Sequence, residues 1–163
     1  MNVLWAPWRM DYILNNTKES GCIFCPGDKE NLAERFVLFK GKQTLVMMNK
    51  YPYINGHLLV APLRHVAVLD QLEETEKAVL MTMVSHSVGI LKKTMKAEGF
   101  NVGLNLGKVA GAGVEDHLHF HIVPRWNGDT NFMTVLGDVR VIPEHMEQTY
   151  ARLLPFFQEV KED

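Results

Sequence analysis

Three histidines, His117, His119 and His121, alternate with Leu118, Phe120 and Ile122, and this spacing limits what they can do together. Side chains on a strand alternate between faces, so the three imidazoles share one face while the apolar residues take the other. The rings then stand roughly 6 to 7 Å apart along the strand. On a helix His119 would point away from the other two, and Ile122, Val123 and Pro124 resist helix in any case. The whole chain has seven histidines, so three of them at strict period two read as function rather than as an accidental polar face. Aligned imidazoles have two broad uses. Neutral nitrogens can hold a transition metal, or the rings can do nucleophilic and acid-base chemistry, since a free histidine titrates at about 6.5.

Two other stretches carry chemistry. Gly21-Cys22-Ile23-Phe24-Cys25-Pro26-Gly27 is a tight Cys-x-x-Cys turn with three readings: half of a zinc site, a redox pair, or two plain thiols. A thioredoxin-like pair opens a helix after a strand, whereas here Pro26 and Gly27 follow at once. Gly107-Lys108-Val109-Ala110-Gly111-Ala112-Gly113 runs toward the triad, and small residues there let backbone N–H groups approach an anion closely.

The elements that must position these groups are readable from periodicity. Short strands are expected at residues 36–39, 44–49, 57–61 and 101–106, with the triad on a fifth, and Asn55-Gly56 marks the turn before His57. Asp70-Gln71-Leu72-Glu73 resembles a capping box that opens a long helix reaching Glu98 and ended by Gly99. Leu80, Val84, Val88, Leu91 and Met95 form its apolar face, Met81 and Met83 read as ordinary core, and Lys92, Lys93 and Lys96 suit its negative end. Pro143 is expected to open a last helix with Met146, Tyr150, Leu153 and Phe157 on its apolar face, kinked or shortened at Pro155. Trp126-Asn127-Gly128-Asp129-Thr130-Asn131-Phe132 is a turn-rich loop. Trp5, Trp8 and Tyr12 near Pro7 are too aromatic for a free tail, so residues 1–20 are expected to dock on the domain or on a second subunit.

Composition narrows the class. The 163 residues, 47% hydrophobic and 22% charged, suit one compact domain over residues 1–163. A formal net charge of −2 argues against extended nucleic-acid binding but leaves room for a small anion. Nothing at the start resembles a signal peptide and no stretch is long enough to span a membrane, so a cytoplasmic protein is expected. The two cysteines cannot make a disulfide scaffold.

His-x-His-x-His followed by two apolar residues and Pro-Arg resembles the signature of the histidine triad (HIT) nucleotide hydrolases and transferases. The resemblance covers roughly residues 20–126. It implies an α+β, HIT-like fold: about five antiparallel strands, one long helix and a C-terminal helix. The HIT core would span 21–126 and a C-terminal extension 127–163. It further implies that His119 attacks a nucleotide's α-phosphorus to give a covalent nucleotidyl-histidine, that His121 contacts the phosphate or leaving oxygen, and that the Leu118 carbonyl holds the His119 tautomer. His117 joins them as a catalytic candidate. Asn49 matches a ribose-binding position and His57 a supporting histidine. Asn105 matches an amide that contacts phosphates, beside the anion loop of Gly107, Gly111, Ala112 and Gly113; Trp126, just after the triad strand, reads equally as a base-stacking residue near the site or as a subunit contact. Some relatives pair an early Cys-x-x-Cys with a mid-chain histidine and the first triad histidine, which implies a structural zinc on Cys22, Cys25, His65 and His117. No catalytic metal is required by this scheme, and a homodimer or higher homo-oligomer is implied.

One departure matters. The small hydrolases of the family carry Gly-Gln-Ser or Gly-Gln-Thr before the triad, where this chain has Gly111-Ala112-Gly113. Together with Trp5-Ala6-Pro7-Trp8-Arg9 and Pro124-Arg125-Trp126, the loop is more similar to a bacterial group that includes diadenosine polyphosphate phosphorylases, although Phe120 and Ile122 do not supply the glutamine that such enzymes often carry. The implied substrate is a purine nucleotide or dinucleoside polyphosphate, with water or inorganic phosphate as acceptor. A nucleoside phosphoramidase or adenylate hydrolase, a slow nucleotide-binding signalling module and a zinc-stabilised interaction domain are the alternatives.

Overall fold

Two stretches of the chain are apolar on both faces, and their burial explains the architecture. The computed structural model describes residues 21–25, 27, 31–129 and 142–162; the aromatic N-terminal segment and residues 130–132 of the turn-rich loop fall outside them. Among the described residues five strands form one antiparallel sheet: β1 (Val37–Lys40), β2 (Thr44–Met48), β3 (Leu58–Pro62), β4 (Gly99–Leu104) and β5 (Phe120–Arg125), in the order β1-β2-β3-β5-β4. Every residue of β2 and β3 is buried, because the sheet is covered on both sides. One face carries Val46, Met48, Leu58, Val60, Leu118 and Ile122 against two helices. The other carries Leu45, Met47, Leu59 and Ala61 against Phe24.

The long helix, α1 (Glu74–Met95), lays Leu80, Met83, Val84 and Leu91 on the first face. Full burial of such side chains contributes about 1.5–3 kcal/mol each, which makes this face the main anchor. Its start differs from the sequence expectation: Asp70 lies in a 3-10 turn, and the capping box is Glu73 with Glu76. Arg64, just beyond β3, explains the shift. It clamps both Glu76 carboxylate oxygens at 2.7 and 2.9 Å and donates to the Gln71 carbonyl at 2.6 Å, while buried Leu72 pins the linker. The Arg64 guanidinium hydrogen-bonded to Glu76 holds that carboxyl down to about 2. The end also comes early. Lys96, not Gly99, takes the left-handed cap at φ 53°, because the Glu98 N–H is already bonded to the Arg125 carbonyl of the sheet at 2.9 Å. Met81 is 52% exposed and not core as expected, whereas Met83 is buried.

The last helix, α2 (Met146–Gln158), buries Thr149, Leu153 and Phe157 in the same core. Pro155 does not stop it; it lies on the exposed side, next to exposed Ala151, where the carbonyl it frees meets water. The Tyr150 hydroxyl donates to the Val37 carbonyl at 3.0 Å. Thr149 and Glu144 bind the side chain of Asn55, so the helix start braces the turn before His57. In that turn Gly56 has φ +77°, and a Cβ there would stand 2.6 Å from Met95 Sδ. Gly56→Ala should therefore cost about 1–3 kcal/mol. Urea unfolding reads this directly, and an unchanged midpoint would show that the turn tolerates a side chain.

Candidate active site and metal cluster

The register of the sheet decides which histidines meet. Leu59 of β3 stands opposite His121 of β5, so His57, two residues from Leu59 on the same face, is a diagonal neighbour of His121. On the other flank Gly103 of β4 stands opposite His121, and a Cβ there would meet nothing within 4 Å. One side of His121 is thus braced by a ring and the other is open.

The hydrogen bonds fix each ring's tautomer. His57 Nδ1 accepts the Tyr53 backbone N–H at 3.1 Å, so the neutral ring carries its proton on Nε2. That nitrogen donates to His121 Nδ1 at 2.9 Å. His121 in turn carries its proton on Nε2, a buried atom with no hydrogen-bond partner among the described residues. A buried N–H left unpaired costs about 1–3 kcal/mol, a cost that an arriving oxygen acceptor relieves. His119 is set the opposite way: its Nδ1 donates to a backbone carbonyl at 2.8 Å, leaving Nε2 as the lone-pair nitrogen. The carbonyl is that of His117, not of Leu118 as expected. The Leu118 N–H is bonded to the Val66 carbonyl at 2.7 Å, and the alternation of the chain turns the His117 oxygen to the histidine side. His117 and His119 precede the paired part of β5, yet both are buried.

Electrostatics keep these rings neutral. Burial pushes His119 below the ordinary histidine value, against the opposing bond to the His117 carbonyl. Burial, then the neighbouring His119, push His121 down to about 4.

His117 itself is engaged elsewhere. Its Nε2 donates to the Pro62 carbonyl at 2.8 Å, so its Nδ1 lone pair faces the cysteines, 3.2 Å from Cys22 Sγ and 3.5 Å from Cys25 Sγ. His65 Nδ1 lies 3.3 Å from Cys25 Sγ. The donor atoms of Cys22, Cys25, His65 and His117 all fall within 4.8 Å of one another. Zinc bonds of about 2.3 Å to sulfur and 2.0–2.1 Å to nitrogen put tetrahedral S···N edges at roughly 3.6 Å, close to these separations. The carbonyl behind His117 is the kind of outer contact that orients a ligating ring. Burial and the adjacent Cys22 push the Cys25 thiol up to about 11, so a fully deprotonated pair at neutral pH has to arrive with a cation. The set fits a Cys/His metal centre.

The remaining expected residues divide. Asn49, at the end of β2, reaches His57 Nδ1 at 3.3 Å with its amide and accepts the Tyr51 N–H at 2.9 Å, so it lies at the site. Asn105 donates to the Gly111 carbonyl at 3.4 Å, tying it to the glycine loop. That loop closes on itself: the N–H groups of Ala110, Gly111 and Ala112 bond back to Gly107 and Lys108 carbonyls, so an anion there would compete with these bonds. Trp126 is not brought to the triad. It follows the far end of β5, about 16 Å along the strand from His121, and its indole donates to the Met95 carbonyl at 3.1 Å, closing the end of α1. Two residues that the sequence reading missed stand at the site. Phe24 stacks on His119, and the Tyr53 ring lies against His57 and parallel to His121. Their positions inside the Cys-x-x-Cys and four residues before His57 were the available signals.

Known proteins resemble this chain in sequence and fold. An AP-4-A phosphorylase of Mycobacterium tuberculosis is 39% identical over 159 residues, covering 93% of this chain and 81% of that protein. A histidine triad nucleotide-binding protein of Sulfolobus tokodaii superposes with a TM-score of 0.64 at 27% identity, over 85% of this chain and 90% of that one. A Zn-bound histidine triad family protein of Mycobacterium smegmatis gives 0.62 at 25% identity, over 76% and 84%. The HIT domain model matches residues 30–128, a span holding all three triad histidines, His57 and every strand of the sheet, and on that match the chain belongs to the HIT domain family.

Proposed function

We propose that this chain cleaves dinucleoside polyphosphates, such as diadenosine tetraphosphate, through a covalent nucleotidyl-histidine intermediate. The observation that carries the reading is the opposed pair of tautomers: a lone-pair nitrogen on His119 beside a buried, unpartnered N–H on His121. The first attacks the α-phosphorus in line, a phosphorus–nitrogen bond forms and the bond to the leaving phosphate oxygen breaks. The second donates to the phosphate or to the departing oxygen. Water or inorganic phosphate then attacks the same phosphorus and frees His119. His57 holds the His121 proton on the outward nitrogen, and His117 acts through its carbonyl rather than its ring. Asn49 is assigned to the ribose, and Asn105 with Gly107, Gly111, Ala112 and Gly113 to the phosphates. The M. tuberculosis relative's name supports the substrate class.

A structural zinc on Cys22, Cys25, His65 and His117 is part of the proposal; it would supply folding energy and rigidity. Two free cysteines serving as metal donors suit a reducing compartment, which supports a cytoplasmic location, and no helix among the described residues is long and apolar enough to cross a membrane. A homodimer is supported by β4, an edge strand with Val102 43% exposed and Leu106 beside it 46% exposed.

Product analysis tests the reading. With diadenosine tetraphosphate, ADP plus ATP formed only when inorganic phosphate is present identifies a phosphorylase; AMP plus ATP in water alone identifies a hydrolase. No cleavage under either condition would sink the substrate assignment in favour of smaller adenylates or a binding module. The pH profile is a second check. Both histidines must be neutral, and both are shifted downward, so the neutral forms persist as pH falls below the ordinary value of about 6.5. On this basis the acid limb of kcat/KM should lie below the ordinary histidine value of about 6.5 rather than at it. An acid limb centred at 6.5 would contradict the buried, neutral pair.

A further inference from the structure

Phe24 is fully buried and occupies the middle of the turn between the two cysteines. Its N–H donates to Cys22 Sγ at 3.4 Å, and the Cys25 N–H donates to the Cys22 carbonyl at 3.1 Å, so the backbone on both sides of it is ordered. The Phe24 ring stacks on the His119 imidazole with centroids 4.6 Å apart and planes 28° apart, and meets His117 at 5.2 Å. It also packs with Val37, Leu45, Met47 and Leu59 of the sheet.

The Cβ–Cγ bond and the Nδ1 hydrogen bond to the His117 carbonyl hold one edge of the His119 ring, and the ring plane can still rock about that edge. A flat face packed against a second ring removes that rocking. Both restraints descend from the Cys/His cluster, since His117 is one of its donors and Phe24 lies between two others. Resting on the assignment of His119 as nucleophile, we infer that Phe24 is a positioning residue for the attack: it is the wedge through which the ordered cysteine turn sets the plane of the His119 imidazole. Clustering of metal donors beside the triad thus has a use beyond stability.

Phe24→Leu in the full zinc-loaded chain tests this, because leucine keeps apolar volume and loses the flat face. The expected result is metal content and folded fraction like wild type, KM for diadenosine tetraphosphate within about twofold, and kcat lower by about 10- to 100-fold, the order that a small misplacement of a reacting group costs. The His119 ring proton resonance should lose the shift imposed by the stacked phenyl ring. Phe24→Tyr keeps the flat face and should restore kcat to within about threefold. Unchanged kcat with an unchanged His119 resonance in Phe24→Leu would overturn the inference. So would a loss of kcat that merely follows lost zinc or lost fold and is not restored by tyrosine. The resonance does not depend on turnover. If His119→Ala turned over normally, the nucleophile assignment would fail while the ring shift would still report whether Phe24 orders His119.

Discussion

His119→Ala is expected to lower kcat/KM for diadenosine tetraphosphate by at least about 10³-fold, roughly 4 kcal/mol of barrier. The magnitude follows from what remains. Without the ring the proposed covalent route is lost, and water would have to attack directly, with the His121 N–H and the phosphate loop left to stabilise charge. A nucleotide trapped on protein quenched during turnover should appear in wild type and be missing from the variant. Turnover within tenfold of wild type would show that another group attacks. His57→Ala is expected to cost less, about 10- to 100-fold, because it acts one ring away by holding the His121 proton on Nε2.

Removal of the zinc proposed for Cys22, Cys25, His65 and His117 should produce the largest change in stability. Structural zinc in small peptides binds with apparent free energies of about 10–16 kcal/mol at neutral pH, and a chain with its own core draws on only part of that. Even about 4 kcal/mol corresponds to a Tm drop of roughly 8–16 °C for a chain of this size. Chelation and Cys22→Ser should each lower Tm by that order, with loss of metal measured by elemental analysis. A chain that carries no zinc as purified and keeps its Tm through chelation would remove the centre from the proposal.

Much of this site was legible in the sequence, and the reasons are physical. Period-two spacing placed His117, His119 and His121 on one side because the backbone alternates whatever lies around it. That His57 supports the site followed only from the family resemblance, and its pairing with His121 was not legible at all, since the register of β3 against β5 is set by sheet-wide burial that no local pattern contains. The carbonyl that holds His119 was misplaced by one residue: neighbouring oxygens point to opposite sides, and the choice depends on which N–H the rest of the fold claims. Leu118 is claimed by Val66. The helix start slipped by a few residues for a similar reason, because Asp70 and Glu73 read as a capping box until Arg64 selects Glu76 and makes Glu73 the cap. Trp126 looked like a base platform by its neighbours in sequence, but an open carbonyl at the end of α1 takes its indole. Phe24 went unnoticed because an apolar residue inside a cysteine pair reads as filler until its ring is seen against His119.

The strand order β1-β2-β3-β5-β4 also bears on how the molecule acquires activity. His57 and His121 are 64 residues apart in the chain, and Cys22 and His117 are 95 apart; neither pair forms until the β5 segment docks on β3. Closing loops of that length carries an entropic cost that local structure does not repay, so such contacts belong to the late stages of folding. A collapsed intermediate with α1 formed would hold all of these side chains and still lack the contacts between them. Regain of turnover during refolding should therefore lag behind regain of helical signal, and enzymatic activity becomes a kinetic reporter for β5 docking.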